Sequence, residues 1–420
     1  MLVERLDNNR CRCHLDELES LARTLGYDVV MRITQVRAQD PRYNIGPGKV
    51  EELARIVKEL DVKKVIFFNE LKPSQVFNLQ EKLGVEVVDR FQLILEIFAQ
   101  HAGSREAKMQ IELARLKYEL PRMREWIRRA KMRELPGFTR GPGGYQIDFH
   151  YRAIVKRISK IQRELEEIRR RKQLQRRVRT RVGLPVVVLT GYTNAGKTTL
   201  FNRLAKESKP VSNAPFSTLA TVTRLVDVYG RKILLSDTIG FIDALPPLLI
   251  ESFYTTLEEL VYADLLLLVV DASEESSEIK RKLEASLKAL SEVGVLDKPT
   301  IVVLNKIDRI SEEELEKRIE SVKLYYRDVV AISAKRGIGI EELKRALYKK
   351  VGKYVRLKIR IPTSEVSSLS SIKYARVLNM MTSSGLTTIE LEVPEALLPR
   401  VKRLVEIADG DILVAEHAQA

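Results

Sequence analysis

Gly191-Tyr192-Thr193-Asn194-Ala195-Gly196-Lys197-Thr198 stands between an apolar, β-branched run at 184–190 (LPVVVLT) and a helical pattern at 199–205 (TLFNRLA). A turn of the form G-x-x-x-x-G-K-S/T between a strand and a helix is built to hold phosphate. The glycines let the backbone close around the anion, and successive N–H groups at the helix start supply partial positive charge. In such a loop Lys197 reaches the β- and γ-phosphates and the Thr198 hydroxyl ligates Mg²⁺. Gly191, Asn194, Ala195, Gly196, Lys197, Thr198 and Thr199 are therefore candidate nucleotide contacts, and Lys197 is also a catalytic candidate.

The motifs that follow narrow the ligand. Asp237-Thr238-Ile239-Gly240 ends a strand 46 residues after Gly191. Its carboxylate suits a water-mediated Mg²⁺ contact, and the Gly240 N–H suits the γ-phosphate. Asn305-Lys306-Ile307-Asp308 follows another apolar strand. A carboxylate there accepts both N1–H and the 2-amino group of guanine, a pair that adenine lacks, which is worth about 1–3 kcal/mol of selectivity. Lys306 would lay its stem on the base, and Asn305 would tie this loop to the phosphate loop. Ser333-Ala334-Lys335 comes next, where the Ala334 N–H would meet guanine O6. The second Mg²⁺ threonine must lie in 213–224 (NAPFSTLATVTR), where Thr218, Thr221 and Thr223 compete and Thr218 is preferred. Phe241 stands where related enzymes place a Gln that orients the attacking water. An aromatic ring cannot polarise water, so intrinsic hydrolysis is slow or another group supplies that role. Asn194 either holds a monovalent cation such as K⁺ between the phosphates or merely braces the loop. Together the set reads as a GTP/GDP switch with hydrolytic activity.

Strand and helix patterns place this chemistry in the third of four segments. Residues 1–104 alternate strands (29–36, 62–68, 85–88) with helices (49–60, 74–83), as in a small parallel α/β domain. Residues 105–181 carry two heptad-like seams joined by 136–146 (PGFTRGPGGYQ), an antiparallel helical hairpin whose first arm Pro121 should kink. Residues 182–352 alternate strongly, with strands at 184–190, 222–228, 232–236, 264–271, 300–305 and 329–332, the signature of a doubly wound, mostly parallel P-loop GTPase sheet. Residues 353–420 offer strands at 354–361, 387–393 and 412–415 with helices between, a small α+β domain.

Composition sets the outer bounds. The 420 residues carry 72 Lys and Arg against 57 Asp and Glu, a net +15 that favours a polyanionic partner. Residues 156–181 alone hold twelve basic side chains and three Glu. Two cysteines, Cys11 and Cys13, give no disulfide framework, and with His14 they lack the second ligand cluster that a zinc site needs. The longest apolar run, 265–270 (LLLLVV), falls far short of the roughly 20 residues of a membrane span. A cytoplasmic, monomeric protein is expected.

At this point the chain resembles the HflX family of ribosome-associated GTPases. The resemblance rests on GYTNAGKTTLFNRL (191–204) and DTIGFI (237–242), including the Phe after the glycine. Outside that segment it rests on IGPGKVEEL (45–53), FNELKPSQVFNL (68–79) and IFAQHAGSREAKMQIELARLKYELPR (97–122). It covers 29–350, and 353–420 match loosely. The resemblance implies binding at the large ribosomal subunit, stimulation of GTP hydrolysis there and, in some members, splitting of stalled or idle ribosomes. It also implies that the hairpin and its loop approach ribosomal RNA. The residues agree: Arg169, Arg170, Arg171, Lys172, Arg176, Arg177, Arg179 and Arg181 are candidate phosphate contacts, and Tyr145 or Phe138 would stack on a base or pin the loop. A competing reading is a slow-cycling RNA-binding scaffold or ribosome-assembly checkpoint in which GTP is structural.

Overall fold

A computed structural model describes residues 1–8, 14–132, 142–207, 221–238, 240–241, 247–352, 354–372 and 374–417, and among these the chain forms two compact units. The first holds 1–167 with 247–254. It begins β1 (Leu2–Leu6), α1 (Leu15–Thr24), β2 (Arg32–Val36), α2 (Pro47–Glu59), β3 (Lys64–Phe67), α3 (Pro73–Leu83), β4 (Glu86–Asp89) and α4 (Arg90–His101). The strands form a parallel sheet in the order β2-β1-β3-β4. Val3, Val65, Phe67 and Val87 pack on one face against Val50, Leu53 and Val57 of α2 and Val76, Leu79 and Leu83 of α3. Pro47 and Pro73 each open a helix, where the missing N–H costs nothing. The sequence reading starts its strands at 29 and omits β1 and α1. The reason is Glu4, buried in mid-strand, which breaks the apolar run yet is satisfied by the His14 N–H at 2.8 Å.

Two long helices follow, α5 (Arg105–Met132) and α6 (Pro142–Val182). Their side chains pair in antiparallel register: Arg105 with Glu164 at 2.8 Å, Glu112 with Arg157 at 2.6 Å, and Arg124 with the Tyr151 hydroxyl at 2.8 Å. Of the expected seam, Met109, Leu113, Ile161 and Leu165 are buried, while Leu116, Leu120, Met123, Ile154, Ile158 and Ile168 are half-buried. The helix α5 runs through Pro121 unbroken, and α6 starts at Pro142, inside the stretch expected to be loop. Phe138 and Cys11 and Cys13 lie outside the described residues.

The second unit holds, among the described residues, 168–207, 221–241 and 255–417. Its elements begin β5 (Val186–Gly191), α7 (Lys197–Ala205), β6 (Val222–Val228) and β7 (Arg231–Asp237). Next in the chain is α8 (Pro247–Ser252), which counts with the first unit; there Leu249 is buried, Phe253 meets the Phe98 ring edge-on at 4.9 Å, and Glu251 pairs with Lys117 at 2.6 Å. The second unit resumes with α9 (Tyr254–Val261), β8 (Leu265–Asp271), α10 (Ser276–Val293), β9 (Thr300–Asn305), α11 (Glu312–Lys323), β10 (Val329–Ala331) and α12 (Ile340–Lys350). The sheet order is β10-β9-β8-β5-β7-β6, parallel except for β6 against β7. Central β8 is buried on both faces, which explains its unbroken LLLLVV. The carboxyl ends of β5, β7, β8 and β9 line up: Leu189 pairs with Asp237, Gly191 with Val269 and Asp271 with Asn305. Every motif of the phosphate and guanine set thus leaves the same edge of one sheet.

The last segment forms β11 (Tyr354–Pro362), β12 (Arg376–Ser383), β13 (Leu386–Pro394), α13 (Leu398–Ile407) and β14 (Asp411–His417), an antiparallel sheet in the order β12-β13-β11-β14. Between β11 and β13 the expected helix is a 3-10 helix at Thr363–Ser371, and it is followed by a strand the sequence reading lacks, β12. It is an edge strand with a bulge between Val377 and Asn379 and with Met380 and Met381 exposed, so no buried alternation marks it.

The basic run on α6 does not all face solvent. Arg176 is buried, donates to Glu258 at 2.9 Å and Glu259 at 2.8 Å, and stacks 4.4 Å from the Tyr262 ring. Arg169 reaches Glu258 at 2.7 Å. Arg176 is a structural clamp on α9 and leaves the set of RNA candidates.

Candidate functional site

The strand β5 is buried from Val187 to Gly191, so the turn after it leaves from a rigid base. Within the turn Asn194 (φ 61°) and Gly196 (φ 93°) are left-handed. At Gly196 no side chain fits in any case, because a Cβ would lie 2.3 Å from Asn305 Nδ2. Such strain is tolerated where surrounding contacts over-determine the backbone. Lys197 then opens α7, buried, with Nζ donating to Gly191 O at 3.0 Å and Tyr192 O at 2.7 Å. Burial pulls its pKa down to about 8 despite the nearby Asp237 carboxylate. The phosphates of a nucleotide would exchange those two carbonyls for a full negative charge.

Thr198 donates from Oγ1 to Asp237 Oδ2 at 3.1 Å, and both residues are buried. A hydroxyl and a carboxylate converging beside a phosphate loop fit a hard divalent cation such as Mg²⁺. Among the described residues no group of three or more His, Cys, Asp and Glu forms a metal cage. His14 bonds Glu4 through Nδ1 at 2.8 Å. Thr218 lies outside the described residues, Thr221 is partly buried, and Thr223 is a β6 residue bonded to the Ser236 hydroxyl at 2.8 Å. Thr199 sits in the first turn of α7. Asn194 is exposed, and its side chain makes no hydrogen bond among the described residues.

Phe241 is buried rather than turned toward the phosphates. Its N–H donates to Gly191 O at 2.9 Å and its carbonyl accepts from the Thr193 N–H at 2.8 Å. This bridge splices the chain after Asp237 onto the phosphate loop. It brings Gly240 so close that an added Cβ would lie 2.7 Å from Lys197 Nζ and 3.0 Å from Thr193 Cα.

Asn305 joins the two halves of the site, donating from Nδ2 to Ala195 O at 2.8 Å and accepting from the Ala334 N–H at 3.0 Å. The sequence expectation gave that N–H to guanine O6; here Asn305 holds it. Ser333 donates to Asp308 Oδ1 at 2.6 Å, and this bond, with Arg336 and Arg309 adding to it, lowers the Asp308 pKa. Asp308 Oδ2 lies 3.4 Å from Arg336 Nε. Lys306 is left-handed (φ 68°), and its Nζ pairs with Asp271 Oδ2 at 2.6 Å. Asp271, which the sequence reading passed over, also accepts from the Ser273 N–H at 3.0 Å. Its only local signal was its place at the end of β8. Arg203 was missed too: from α7 it donates to Ala334 O at 3.1 Å and to Lys335 O at 2.6 Å. No helix among the described residues is long and apolar enough to cross a membrane.

Residues 12–99 match a family described as GTP-binding GTPase N-terminal, 101–179 one described as GTP-binding GTPase Middle Region, and 186–306 one described as 50S ribosome-binding GTPase. A protein named GTPase HflX from Thermococcus kodakarensis is 46% identical over 369 residues, covering 86% of this chain and 83% of that protein. Another of that name from Thermofilum pendens is 49% identical over 351 residues, covering 83% and 82%. A third, from Methanocaldococcus jannaschii, is 42% identical over 374 residues, covering 89% and 90%. Among solved structures, a GTP-binding protein from Sulfolobus solfataricus in complex with GDP is 32% identical, covers 83% of this chain and 97% of its own, and has a TM-score of 0.44.

Proposed function

The chain belongs to the HflX family of GTPases, and from that membership we propose that it is a GTP-hydrolysing factor of the large ribosomal subunit that splits or rescues ribosomes according to its bound nucleotide. The observation that carries the nucleotide reading is Asn305, bonded at once to Ala195 of the phosphate loop and Ala334 of the base loop. In this reading Lys197 holds the β- and γ-phosphates, and Thr198, Asp237 and Thr218 hold Mg²⁺. The metal, when bound, neutralises charge on the phosphate oxygens. Gly240 offers its N–H to the γ-phosphate, and Asp308 with the Ser333–Ala334–Lys335 loop reads guanine. Asn194, exposed in the loop, is the residue that would take K⁺. The parts are 1–104, the hairpin 105–181, the GTPase domain 182–352 and the C-terminal domain 353–420.

Ribosomal RNA is the polyanion that the charge suits, and the cytoplasm is where such a factor works. On α6 the exposed Arg152, Lys156, Lys160 and Arg163 meet no carboxylate among the described residues, so this face is free to neutralise phosphates. Buried Phe241 supports slow intrinsic turnover, which also keeps alive the second reading of a scaffold with structural GTP. GTP turnover by the whole chain in K⁺ buffer, with and without large ribosomal subunits, separates them. Acceleration of about a hundredfold or more is expected for a factor whose partner completes the site. Co-sedimentation with an unchanged rate would leave the scaffold.

A further inference from the structure

We propose that Arg203 is a positioning residue for guanine recognition: it ties the loop that meets the six-position of the base to the helix that holds the phosphates. The proposal rests on reading Asp308 and the Ser333–Lys335 loop as the guanine site. Lys197 and Arg203 lie on the same helix, six residues or about 9 Å apart along its axis. One end of α7 therefore faces the phosphates while the other grips Ala334 O and Lys335 O through Nε and Nη2. Two carbonyls in succession held by one planar fork fix the peptides on both sides of Lys335, immediately after the Ala334 Cα.

The loop is held by Ser333, Asn305 and Arg203, and the first two of these holds bear on the base. Ser333 bonds Asp308, the group aimed at N1–H and the 2-amino group. Asn305 accepts from the Ala334 N–H, the donor that would turn to O6. Arg203 anchors the loop from α7, through the carbonyls of Ala334 and Lys335. Gly337, at φ 83°, gives the loop its tight return, and a Cβ there would lie 3.7 Å from the Arg203 guanidinium. Loss of Arg203 thus frees Ala334 without touching Asp308. Reading of the six-position weakens, and reading of the two-position stays.

Three nucleotides resolve this. 6-Thio-GDP differs from GDP only at the six-position, and IDP only at the two-position. XDP reports on Asp308. With the full-length protein, Arg203→Ala is expected to weaken GDP roughly three- to tenfold, a modest loss because Arg203 is exposed. It should shrink the preference for GDP over 6-thio-GDP by a similar factor and leave the GDP-to-IDP ratio unchanged. Arg203→Lys, which can reach one carbonyl, should fall between. An equal loss for all three nucleotides, or a thermal midpoint lowered with both ratios unchanged, makes Arg203 merely structural and overturns the proposal. The control is Asp308→Asn. If it gains XDP affinity while Arg203→Ala keeps its 6-thio ratio, only the role of Arg203 falls; if it gains none, the guanine reading and this proposal fall together.

Discussion

Among the described residues the ammonium of Lys197 has two carbonyls and no carboxylate as hydrogen-bond partners, and burial lowers its pKa to about 8 from 10.5. The folded protein therefore binds fewer protons than the unfolded chain between those values. The penalty for the buried charge is complete below about pH 8 and is relieved as the pH rises toward 10.5. Nucleotide phosphates reverse the preference, since they need the charged form. GDP affinity should thus be flat below pH 8 and then fall, approaching tenfold per pH unit. Titration of GDP by fluorescence between pH 7 and 9.5 checks this; a flat profile would show that Lys197 keeps its proton. Gly240 gives a second test at this scale. In Gly240→Ala the new methyl must displace Lys197 Nζ or the Thr193 backbone. Single-turnover hydrolysis should drop about a hundredfold, the usual effect of an ångström-scale misplacement. Full activity in that variant would place the γ-phosphate contact elsewhere.

At the scale of elements, the ion cluster between α6 and α9 decides more than the charge count. Burial would raise the Glu258 pKa, but hydrogen bonds from Arg176 and Arg169 outweigh it and hold the carboxyl below its ordinary 4.5. That stability is present above about pH 4.5 and is lost as the pH falls through the lowered value. Arg176→Ala leaves Glu259 without this partner and should cost about 3 kcal/mol in urea unfolding, near the low end because Arg169 still reaches Glu258. An unchanged urea midpoint would make the cluster incidental. The sequence foretold that α6 is basic but not which arginine turns inward, because Glu258 lies 82 residues away from Arg176. For the same reason β1 and β12 went unread: one hides a satisfied Glu4, and the other lies exposed at an edge.

Across the whole second unit, β7 is fastened to the C-terminal sheet by a buried pair. Arg231 meets Glu392 at 2.8 Å, donates to Tyr348 O at 2.8 Å and lies 3.9 Å and 4.5 Å from the rings of Tyr348 and Tyr354. A chain ended at 352 strands Arg231 without its acid. Its GDP-bound thermal midpoint should fall by about 5 °C or more. Calorimetry of the shortened chain tests this, and an equal midpoint would make the C-terminal sheet a passive passenger.

The phosphate loop, the Asp237 strand end and the guanine motif were legible from residue order alone, because each is a few consecutive residues whose spacing is itself the geometry. The central strands β5, β8 and β9 were legible for a related reason: their apolar runs match burial on both faces. Asp271, Arg203 and the inward Arg176 carry no such local mark. Their roles come from partners brought close by the fold — Lys306 to Asp271, Ala334 and Lys335 to Arg203, Glu258 and Glu259 to Arg176. Phe241 is the plainest case. The sequence told only that no glutamine stands there, and the tertiary structure made it a buried splice between two loops, since a backbone bridge from Phe241 to Gly191 and Thr193 forms only once β5 and β7 lie side by side.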